Sequence, residues 1–457
     1  MFERLRSLPW WQKIILGIAC LALLAHFTFS VARVGAKIGD YDINREFGRR
    51  FLAGEPLYQG GQCFNYMPAS ALYWAPLALV PPRVGMALRY LTALACLVIS
   101  LRILHRIVSG AAHRGSRMED RGSKQKRPGD LPSSIFDPQF SILIIATLLL
   151  SVHYLIRDLD DGGPNLILLA ILLGGGYCIC QGRDRLGALC LGLAIAVKLT
   201  PGLFLPFLLW KRQWRLVAHT TVATFFWILL PAIWMGPVSW WRHQQEWNKV
   251  AVSVFHDSSD SGRNGNEQRV QNQALKPALL RYLTTYPSGH PLRLEEAGYV
   301  DFFNWPLGLA NHVATGILLA VGTIFWWCTR RPWRQSTSRI IFGEIAALML
   351  LMLLFSPVTW LQHFVFALPG IFWIVAQQQQ TPRAITRWGI GLFAVLALLL
   401  NRAFVGRHVY LLLLSYHTHT LSLFLLLAMI LARLSWSEGS NKRKMTLEVF
   451  PPRGQAA

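Results

Sequence analysis

Apolar runs long enough to cross a membrane recur along this 457-residue chain, and no other feature constrains its fold as strongly. A spanning helix needs about 20 mostly apolar residues, and residues 14–34 form the first such run. Only 15% of the residues are charged, whereas a soluble domain has about 25%. The first run is too long for the apolar region of a cleaved signal peptide and precedes further runs, which predicts a retained signal anchor. The chain is therefore predicted to be an all-α, multispanning integral membrane protein.

The excess of basic residues lies in short segments between the apolar runs. A formal net charge of +22 in a soluble protein would point to nucleic acid. Beside membrane helices, however, lysine and arginine concentrate on the cytoplasmic side, where anionic lipid attracts them. This pattern predicts the lipid bilayer as the partner, and no nucleic acid. Such segments contain Arg114, Arg117, Arg121, Lys124, Lys126 and Arg127; Lys211, Arg212 and Arg215; Arg330, Arg331 and Arg334; Arg383 and Arg387; and Lys442, Arg443 and Lys444.

With the amino terminus inside, apolar runs and basic segments alternate consistently across the membrane. One membrane domain is predicted over residues 1–437, with a basic cytoplasmic loop at 108–137, a long outer segment at 236–304 and a basic cytoplasmic tail at 438–457. About eleven to thirteen membrane helices result if half-length ones are counted. Predicted spans are residues 14–34, 83–107, 139–156, 165–181, 216–235, 305–329, 339–355, 363–377, 385–401 and 409–434, with a short apolar helix at 69–80.

Residues 186–210 are apolar but interrupted by Lys198-Leu199-Thr200-Pro201. Both flanks, at 183–185 and 211–212, have the character of cytoplasmic segments. Two half-length helices in a re-entrant hairpin would satisfy both flanks, and broken backbone at that depth is tolerated only inside protein or in a wet cavity. A single bent span is the alternative, and it would put residues 211–212 outside.

A series of short motifs runs in order from about residue 38 to about residue 370. Together they resemble glycosyltransferase family 87, the polyprenol-phosphate-mannose-dependent α-mannosyltransferases of the GT-C superfamily. Each motif alone has little specificity, whereas their order and spacing are fairly specific. The motifs are Asp40 with Gly54 and Tyr58; Phe64-Asn65-Tyr66-Met67-Pro68; Ala75-Pro76-Leu77-Ala78-Leu79-Val80-Pro81; Gly162-Gly163-Pro164-Asn165; Val197-Lys198-Leu199-Thr200-Pro201 with Trp210-Lys211-Arg212-Gln213-Trp214-Arg215; Asn272-Gln273-Ala274-Leu275 with Arg281; and Ser356-Pro357-Val358-Thr359-Trp360-Leu361-Gln362-His363.

The resemblance implies a GT-C-like helical bundle whose first outer loop lies on the membrane. It also implies an active site on the outer, periplasmic face of the cell (inner) membrane. The expected reaction moves a hexose, mannose in this family, from a polyprenyl-phosphate donor to a glycolipid or glycan acceptor with inversion. A carboxylate takes the proton of the acceptor hydroxyl as that oxygen attacks the anomeric carbon, and the phosphate leaves on its lipid. No nucleotide, metal or other cofactor is obligatory.

Asp40 is the best candidate for this base, because it stands fourteen positions before Gly54, as the family's first-loop acid does. A base has to reach its proton directly or through one water, and the end of a membrane helix facing a polar cavity allows that. Asp42 is a second catalytic candidate, which would share the task or bind sugar hydroxyls. The alternative is that one or both acids only cap a helix or face solvent.

His363 is the third catalytic candidate and lies in a predicted short outer turn after Ser356-Pro357. It would pair with Asp40 or hold the donor phosphate, since histidine is a frequent acid/base partner. The family usually has two consecutive histidines here, whereas Gln362 occupies the first position in this chain. The alternative is a histidine that is hydrogen-bonded at a helix start.

Two cations are assigned to the donor phosphate, Lys198 and Arg281. A lone lysine at membrane depth is costly unless it is paired or in a wet cavity, although a snorkelling side chain is the alternative. Arg281 lies in the outer segment, and its guanidinium fork matches phosphate oxygens. The rivals for this role, each otherwise a surface arginine at a headgroup, are Arg45, Arg49, Arg402 and Arg407.

The remaining motif residues form the predicted substrate-binding set, which is Tyr66, Asn165, Asn272, Gln273 and Trp360. Trp360 lies at a predicted helix end, where tryptophans either join the interfacial belt or stack on sugar faces. The acids Asp158, Asp160 and Asp161 are predicted to form an outer, solvated turn, with Asn165 capping the next helix. Holding a divalent cation through oxygen ligands is the alternative for this tract.

Two other functional classes compete with an enzyme. A transporter or flippase of a lipid-linked or anionic substrate suits broken helices and a buried lysine, and it predicts a site near the bilayer midplane. A non-catalytic membrane scaffold predicts no pocket joining the polar residues. Glu344, inside the predicted span 339–355, is expected to be a packed or hydrogen-bonded glutamate and not a catalytic one.

Overall fold

The computed structural model describes residues 10–36, 39–58, 66–108, 138–256, 270–285 and 300–449. Within these ranges the regular structure is helical, which confirms the predicted all-α class. The α-helices are Trp10–Ala32, Asp40–Ala53, Ala71–Ala78, Pro82–Val108, Pro138–Asp161, Asn165–Cys180, Asp184–Val197, Phe204–Trp210, Trp214–Leu229, Ala232–Met235, Pro237–His256, Leu275–Leu283, Leu307–Cys328, Ser338–Phe355, Leu368–Gln380, Ala384–Ala394, Arg402–Ser415 and Thr418–Val449. Shorter 3₁₀ turns are Pro68–Ser70, Thr200–Leu203, Trp333–Gln335 and Leu361–Ala367. The motif residues Phe64 and Asn65 and nearly all of the predicted loop 108–137 lie outside the described residues.

Six helices of the described chain are long and apolar enough to cross a membrane, or seven if one bent pair counts as a single span. They make this a multi-pass membrane protein, as predicted. These spans are Pro82–Val108, Ser141–Asp161, Trp214–Met235, Leu307–Cys328, Ser338–Phe355 and Thr418–Ser435, and the bent pair is Ala384–Leu399 with Arg402–Ser415. Other predicted spans are shorter apolar helices, such as Gly17–Ala32 and Asn165–Cys180. The predicted count of eleven to thirteen membrane helices included such half-length helices.

Two predicted helix boundaries are wrong. The predicted span 139–156 continues to Asp161, so the acids expected in a solvated turn form its last helical turn. The predicted helix 409–434 is divided, because one helix ends at Ser415 and the next begins at Thr418. Arg402–Ser415 is bent by 88° from the helix before it. Asn401 caps the start of Arg402–Ser415 by accepting a hydrogen bond from the backbone N–H of Ala403, which favours a new helix at this point.

The segment after the first helix forms a small amphipathic unit. Helix Asp40–Ala53 buries Phe47 and Phe51 against Ala71 and Ala75 of the next helix. The two helices approach closely at Gly48, where an added Cβ would lie 2.5 Å from the backbone of Trp74. Gly54 then ends the helix in a left-handed conformation (φ 69°), which glycine adopts without steric cost. This packing holds the start of the helix, where Asp40 lies.

Residues 184–210 form a re-entrant hairpin and not a bent span. The first arm, Asp184–Val197, has 14 residues and is about 21 Å long. The chain then breaks at Lys198 and returns through Thr200–Leu203 and Phe204–Trp210. Asp184 and Arg212, at the two ends of the hairpin, line one cavity together with Arg334. We call this side of the molecule the basic end; the tip of the hairpin points away from it.

A buried ion pair ties the hairpin to the central helix Ser338–Phe355. The ammonium of Lys211 donates to Glu344 Oε1 at 2.7 Å, to the Arg331 carbonyl at 2.9 Å and to the Thr329 carbonyl. The indole N–H of Trp333 donates to the other carboxylate oxygen of Glu344 at 2.6 Å. Both charged side chains are at most 2% exposed. Glu344 is thus a packed, hydrogen-bonded glutamate, as the sequence predicted.

We expect Lys211→Met to destabilise the protein strongly, because it leaves the Glu344 carboxylate buried without its cation. Breaking a buried pair from one side costs about 3–5 kcal/mol. Thermal unfolding of the purified variant in detergent should show a clearly lowered Tm. Arg212→Met, at the exposed neighbouring position, is the control and should unfold near the wild-type temperature. An unchanged Tm for Lys211→Met would mean that the pair does not hold the hairpin.

Candidate active site

Asp40 is the first residue of helix Asp40–Ala53 and lies where several distant segments meet. Its Oδ2 accepts a hydrogen bond from Gln362 Nε2 at 3.2 Å. Gly163 packs beside it, since a Cβ added there would lie 3.8 Å from Asp40 Oδ2 and 3.7 Å from Asp158 Oδ1. The close approach of this turn depends on Gly162, which has φ +81° and packs directly on Tyr41. Two carboxylates from separate helices are therefore neighbours.

The environment of Asp40 favours a carboxyl that holds its proton more tightly than usual. Burial raises its pKa above the ordinary aspartate value. The hydrogen bond from Gln362 opposes this rise, as do the positive charges of Arg157, Lys198 and Arg89. The residue as a whole is intermediate in exposure, while its carboxyl is buried. This combination suits a group that exchanges protons with a ligand.

Asp158 is the buried neighbour of Asp40, and the prediction of a solvated turn for it is wrong. Arg89 Nη2 donates to Asp158 Oδ2 at 3.3 Å, and both side chains are fully buried. The same guanidinium donates to the carbonyls of Asp158, Leu159 and Gly163. It therefore fixes the turn that packs on Asp40. Arg89 was missed from the sequence, although a lone arginine inside an apolar run was a usable signal.

The other two acids of this tract also form ion pairs. Asp160 lies 3.3 Å from Arg33, and Asp161 lies 3.0 Å from Arg157. Asn165 does not cap its helix; Pro164 stands at that position, and Asn165 Nδ2 donates to Asp158 Oδ1 at 2.9 Å. Among the described residues, no three His, Cys, Asp or Glu side chains are grouped to hold a metal ion.

Lys198 reaches this cluster from the tip of the hairpin. The carbonyl of Val197 accepts a hydrogen bond from the Met67 backbone N–H at 3.2 Å, which joins the hairpin to the first loop. The Lys198 ammonium lies 5.5 Å from the ring centroid of Tyr66. It is also close enough to Asp40 and Asp158 for their charges to act on it. Two predicted site residues, Lys198 and Tyr66, are thus brought beside a third, Asp40.

His363 is near this cluster but does not bond directly to Asp40. Its Nδ1 accepts a hydrogen bond from the Trp360 backbone N–H at 3.2 Å, at the start of the 3₁₀ turn Leu361–Ala367. The charge of Lys198 acts on the His363 ring. Gln362, where the family's first histidine would stand, makes the direct contact with Asp40. His363 therefore matches the helix-start alternative while lying within reach of the site.

Asp42 has a local structural contact. Its Oδ2 accepts a hydrogen bond from the backbone N–H of Gly39 at 3.0 Å, which caps the start of helix Asp40–Ala53. This is the capping alternative that the sequence left open.

Asn272 and Gln273 are buried, and their side chains hydrogen-bond to the protein around the turn before His363. Asn272 Oδ1 accepts from the Thr359 N–H at 2.8 Å, and its Nδ2 donates to the Pro357 carbonyl at 2.9 Å. Gln273 Nε2 donates to the carbonyl of Leu414 at 3.2 Å. Both side chains are fully buried.

Arg281, predicted to hold the donor phosphate with Lys198, lies in a different group. It is buried on helix Leu275–Leu283, where its charge acts on His417 and Tyr282. Its role at the donor phosphate stays a prediction.

A cavity of about 760 Å³ opens beside Gln362, and residues of helix Arg402–Ser415 form part of its wall. Trp360 and Arg157 line it, together with residues of that helix. Trp360, a predicted substrate-binding residue, therefore lines the same cavity as Gln362, which donates a hydrogen bond to Asp40. It was not visible in the sequence, because its walls come from four segments that are far apart in the chain.

The chain is similar to known mannosyltransferases. Two relatives are named polyprenol-phosphate-mannose-dependent alpha-(1-2)-phosphatidylinositol mannoside mannosyltransferase. The one from Mycobacterium tuberculosis is 27% identical over 78% of this chain and 73% of its own length. The one from Mycolicibacterium smegmatis is 24% identical over 72% of this chain and 68% of its own length.

A third relative, also from Mycobacterium tuberculosis, is named polyprenol-phosphate-mannose-dependent alpha-(1-2)-phosphatidylinositol pentamannoside mannosyltransferase. It is 24% identical over 71% of this chain, which spans 62% of that relative's length. No solved structure matches the chain.

The family match itself covers residues 64–357, well over half of the chain. Asp40 and His363 lie just outside it. Lys198, Tyr66, Asn165 and Asn272 lie within it. This protein belongs to glycosyltransferase family 87.

Proposed function

We propose that this protein transfers mannose from a polyprenyl-phosphate donor to a glycolipid acceptor, with inversion at the anomeric carbon. The observation that carries the proposal is the convergence of Asp40, Lys198 and Gln362, the last of which lines an open cavity. The names of the mannosyltransferase relatives support the donor and the class of acceptor. No observation favours the transporter alternative.

The outer face of the membrane is proposed for the reaction. Lysine and arginine concentrate on the cytoplasmic side of membrane proteins. Arg212, Arg215 and Arg334 line the cavity at the basic end, and the hairpin tip that carries Lys198 points away from that end. This arrangement supports a cytoplasmic basic end and an Asp40 site that is open toward the periplasmic side.

In the proposed reaction Asp40 is the general base. The acceptor hydroxyl gives its proton to the Asp40 carboxylate while its oxygen forms the new bond to the anomeric carbon. The bond from that carbon to the phosphate oxygen breaks, and the electron pair leaves with the lipid phosphate. A base in hydrogen-bond reach of the attacking hydroxyl contributes about 10²–10⁴-fold in rate.

Lys198 is proposed to stabilise the departing phosphate. An ammonium in a site that excludes bulk water interacts strongly with charge that develops on a leaving group. Tyr66, below the ammonium, holds its position and contributes to the sugar pocket. Asp158 and Asn165 position this wall through Arg89, while Asn272 and Gln273 position the turn with Trp360 and His363. Asp42 is proposed as a capping residue of the base-bearing helix.

We expect Asp40→Asn to fold and insert normally but to lose transfer by about 10²–10⁴-fold, because the amide cannot take the proton. Purified protein in lipid, supplied with labelled polyprenyl-phosphate mannose and extracted membrane lipids, gives the rate by product analysis. Asp184→Asn, a matched change at the basic end, serves as control and should retain near wild-type transfer. Full activity of the Asp40 variant would remove Asp40 from the mechanism.

The pH profile tests the state of the same carboxyl. A base works when deprotonated, so the transfer rate should rise with pH through the raised pKa of Asp40 and fall below it. Gln362→Met removes a hydrogen bond that stabilises the charged form, so the acid limb should move to higher pH. Log kcat/KM measured against pH for both proteins gives the comparison. A limb that stays in place or moves to lower pH would contradict the role of Gln362.

Replacement of Lys198 tests the phosphate contact. Lys198→Met should lower kcat by about 10²–10³-fold, the loss typical of one donor to a developing negative charge. Lys198→Arg should restore part of the rate, because the charge remains while its geometry changes. Steady-state kinetics with varied donor measure both variants. Equal rates for Met and Arg at this position would show that its charge plays no part.

A further inference from the structure

Two adjoining cavities open at the basic end of the molecule, where the re-entrant hairpin begins and ends. The first, of about 410 Å³, lies at the start of the hairpin, and its wall includes Arg183 and Arg185. The second, of about 540 Å³, lies at the end of the hairpin and is lined by Arg212 and Arg334. Arg215 lines both, which places them side by side. We call them the hairpin-base cavities.

The walls of the hairpin-base cavities have a large excess of positive charge. Among the described residues, they contain five arginines and one acid, Asp184. The arginines are exposed. The guanidinium groups of Arg185, Arg215 and Arg334 make no hydrogen bond or ion pair within the part of the chain that the structure describes. Because like charges from separate segments repel one another here, an anion that binds among them is favoured.

The arginines lie at the level where membrane helices end. Arg215 is the second residue of the span Trp214–Met235. Arg334 lies in the 3₁₀ turn that connects the spans Leu307–Cys328 and Ser338–Phe355. The ends of membrane spans lie next to the lipid headgroups. The phosphates of the leaflet at the basic end are therefore within reach of both side chains.

Exposed apolar side chains stand beside the arginines. Trp214 lines the second cavity and is 64% exposed, and Leu186 lines the first and is 51% exposed. Tryptophan is enriched where membrane and water meet, with its ring at the headgroup level. A water-soluble anion would use only the arginines of these walls, whereas a lipid can use the apolar side chains as well. The composition of the walls therefore favours a lipid.

We propose that the hairpin-base cavities bind one anionic phospholipid whose headgroup has two phosphates, as in diphosphatidylglycerol. Basic pockets between membrane helices bind such headgroups in other proteins. Each cavity takes one phosphate, and Arg215 contacts both. The planar guanidinium group matches the oxygens of a phosphate. This is a single site with a defined occupant, in contrast to the general attraction of basic segments to lipid, and it does not rest on the proposed transferase function.

The bound headgroup connects segments that are separate in the chain. It joins the start of the hairpin, its end and the turn Trp333–Gln335. The buried pair of Lys211 and Glu344 already ties the end of the hairpin to the central helix. A ligand that binds the folded protein and not the unfolded chain raises the stability of the fold. The lipid therefore stabilises the base of the hairpin.

Lipid titration of the full-length, delipidated protein in detergent tests the site, with binding measured by native mass spectrometry. The wild type should bind one diphosphatidylglycerol, more tightly than phosphatidylglycerol or phosphatidylethanolamine. The Arg185→Gln/Arg215→Gln variant should bind diphosphatidylglycerol at least about tenfold more weakly and phosphatidylethanolamine unchanged. Arg102→Gln/Arg387→Gln, which removes two exposed arginines outside both cavities, is the matched control and should bind all three lipids as the wild type does.

Thermal unfolding gives a second measurement. Diphosphatidylglycerol should raise the Tm of the wild type and of the control variant, but not that of Arg185→Gln/Arg215→Gln. Without lipid the three proteins should unfold at similar temperatures, because the replaced side chains are exposed. This comparison separates lost lipid binding from misfolding.

Four results would overturn the proposal. Equal binding of diphosphatidylglycerol by the wild type and Arg185→Gln/Arg215→Gln would exclude the site. Equal weakening in both double variants would show a response to net charge alone. Phosphatidylglycerol bound as tightly as diphosphatidylglycerol would contradict the headgroup with two phosphates. Inorganic diphosphate that displaces the lipid at an equal concentration would assign the arginines to a water-soluble anion.

Discussion

The buried guanidinium of Arg89 holds together the wall on which Asp40 lies. It donates to the Asp158 carboxylate and to backbone carbonyls on both sides of the turn that ends in Gly163. Desolvating such a group is costly, and the cost is offset only because most of its donors find acceptors. One side chain from helix Pro82–Val108 therefore fixes the end of helix Pro138–Asp161 and the start of helix Asn165–Cys180 beside Asp40.

Polar residues around Asp40 divide into those that hold the frame and those that face a ligand. Asn272 uses its side chain to hold the turn 357–359, so that Gln362 arrives at Asp40 in a defined orientation. Trp360, by contrast, lines the cavity beside Gln362, where a substrate can meet it. This division explains why so many motif residues of this chain are buried. A site made from distant segments needs buried hydrogen bonds that hold each segment in place.

The sequence predicted most of the fold, because backbone in lipid has to be helical and apolar runs report where it lies. It also predicted Asp40 and Lys198 as site residues, since ionisable residues in apolar surroundings are costly without a purpose, and the structure brings the two close together. Asp158 was misjudged because consecutive acids resemble a solvated turn, and its partner Arg89 is remote in sequence. The cavity depends on how helices bend and pack, for which local patterns carry no signal.

The re-entrant hairpin helps to set the distance between the charges of Lys198 and Asp40. Lys198 follows an arm of fourteen residues that starts at the basic end, whereas Asp40 is the first residue of helix Asp40–Ala53. The hydrogen bond from the Met67 backbone N–H to the Val197 carbonyl ties the tip of the hairpin to the loop before helix Ala71–Ala78, on which helix Asp40–Ala53 packs. The distance between the two charges is therefore set inside the protein, by the contact between the hairpin and the first loop.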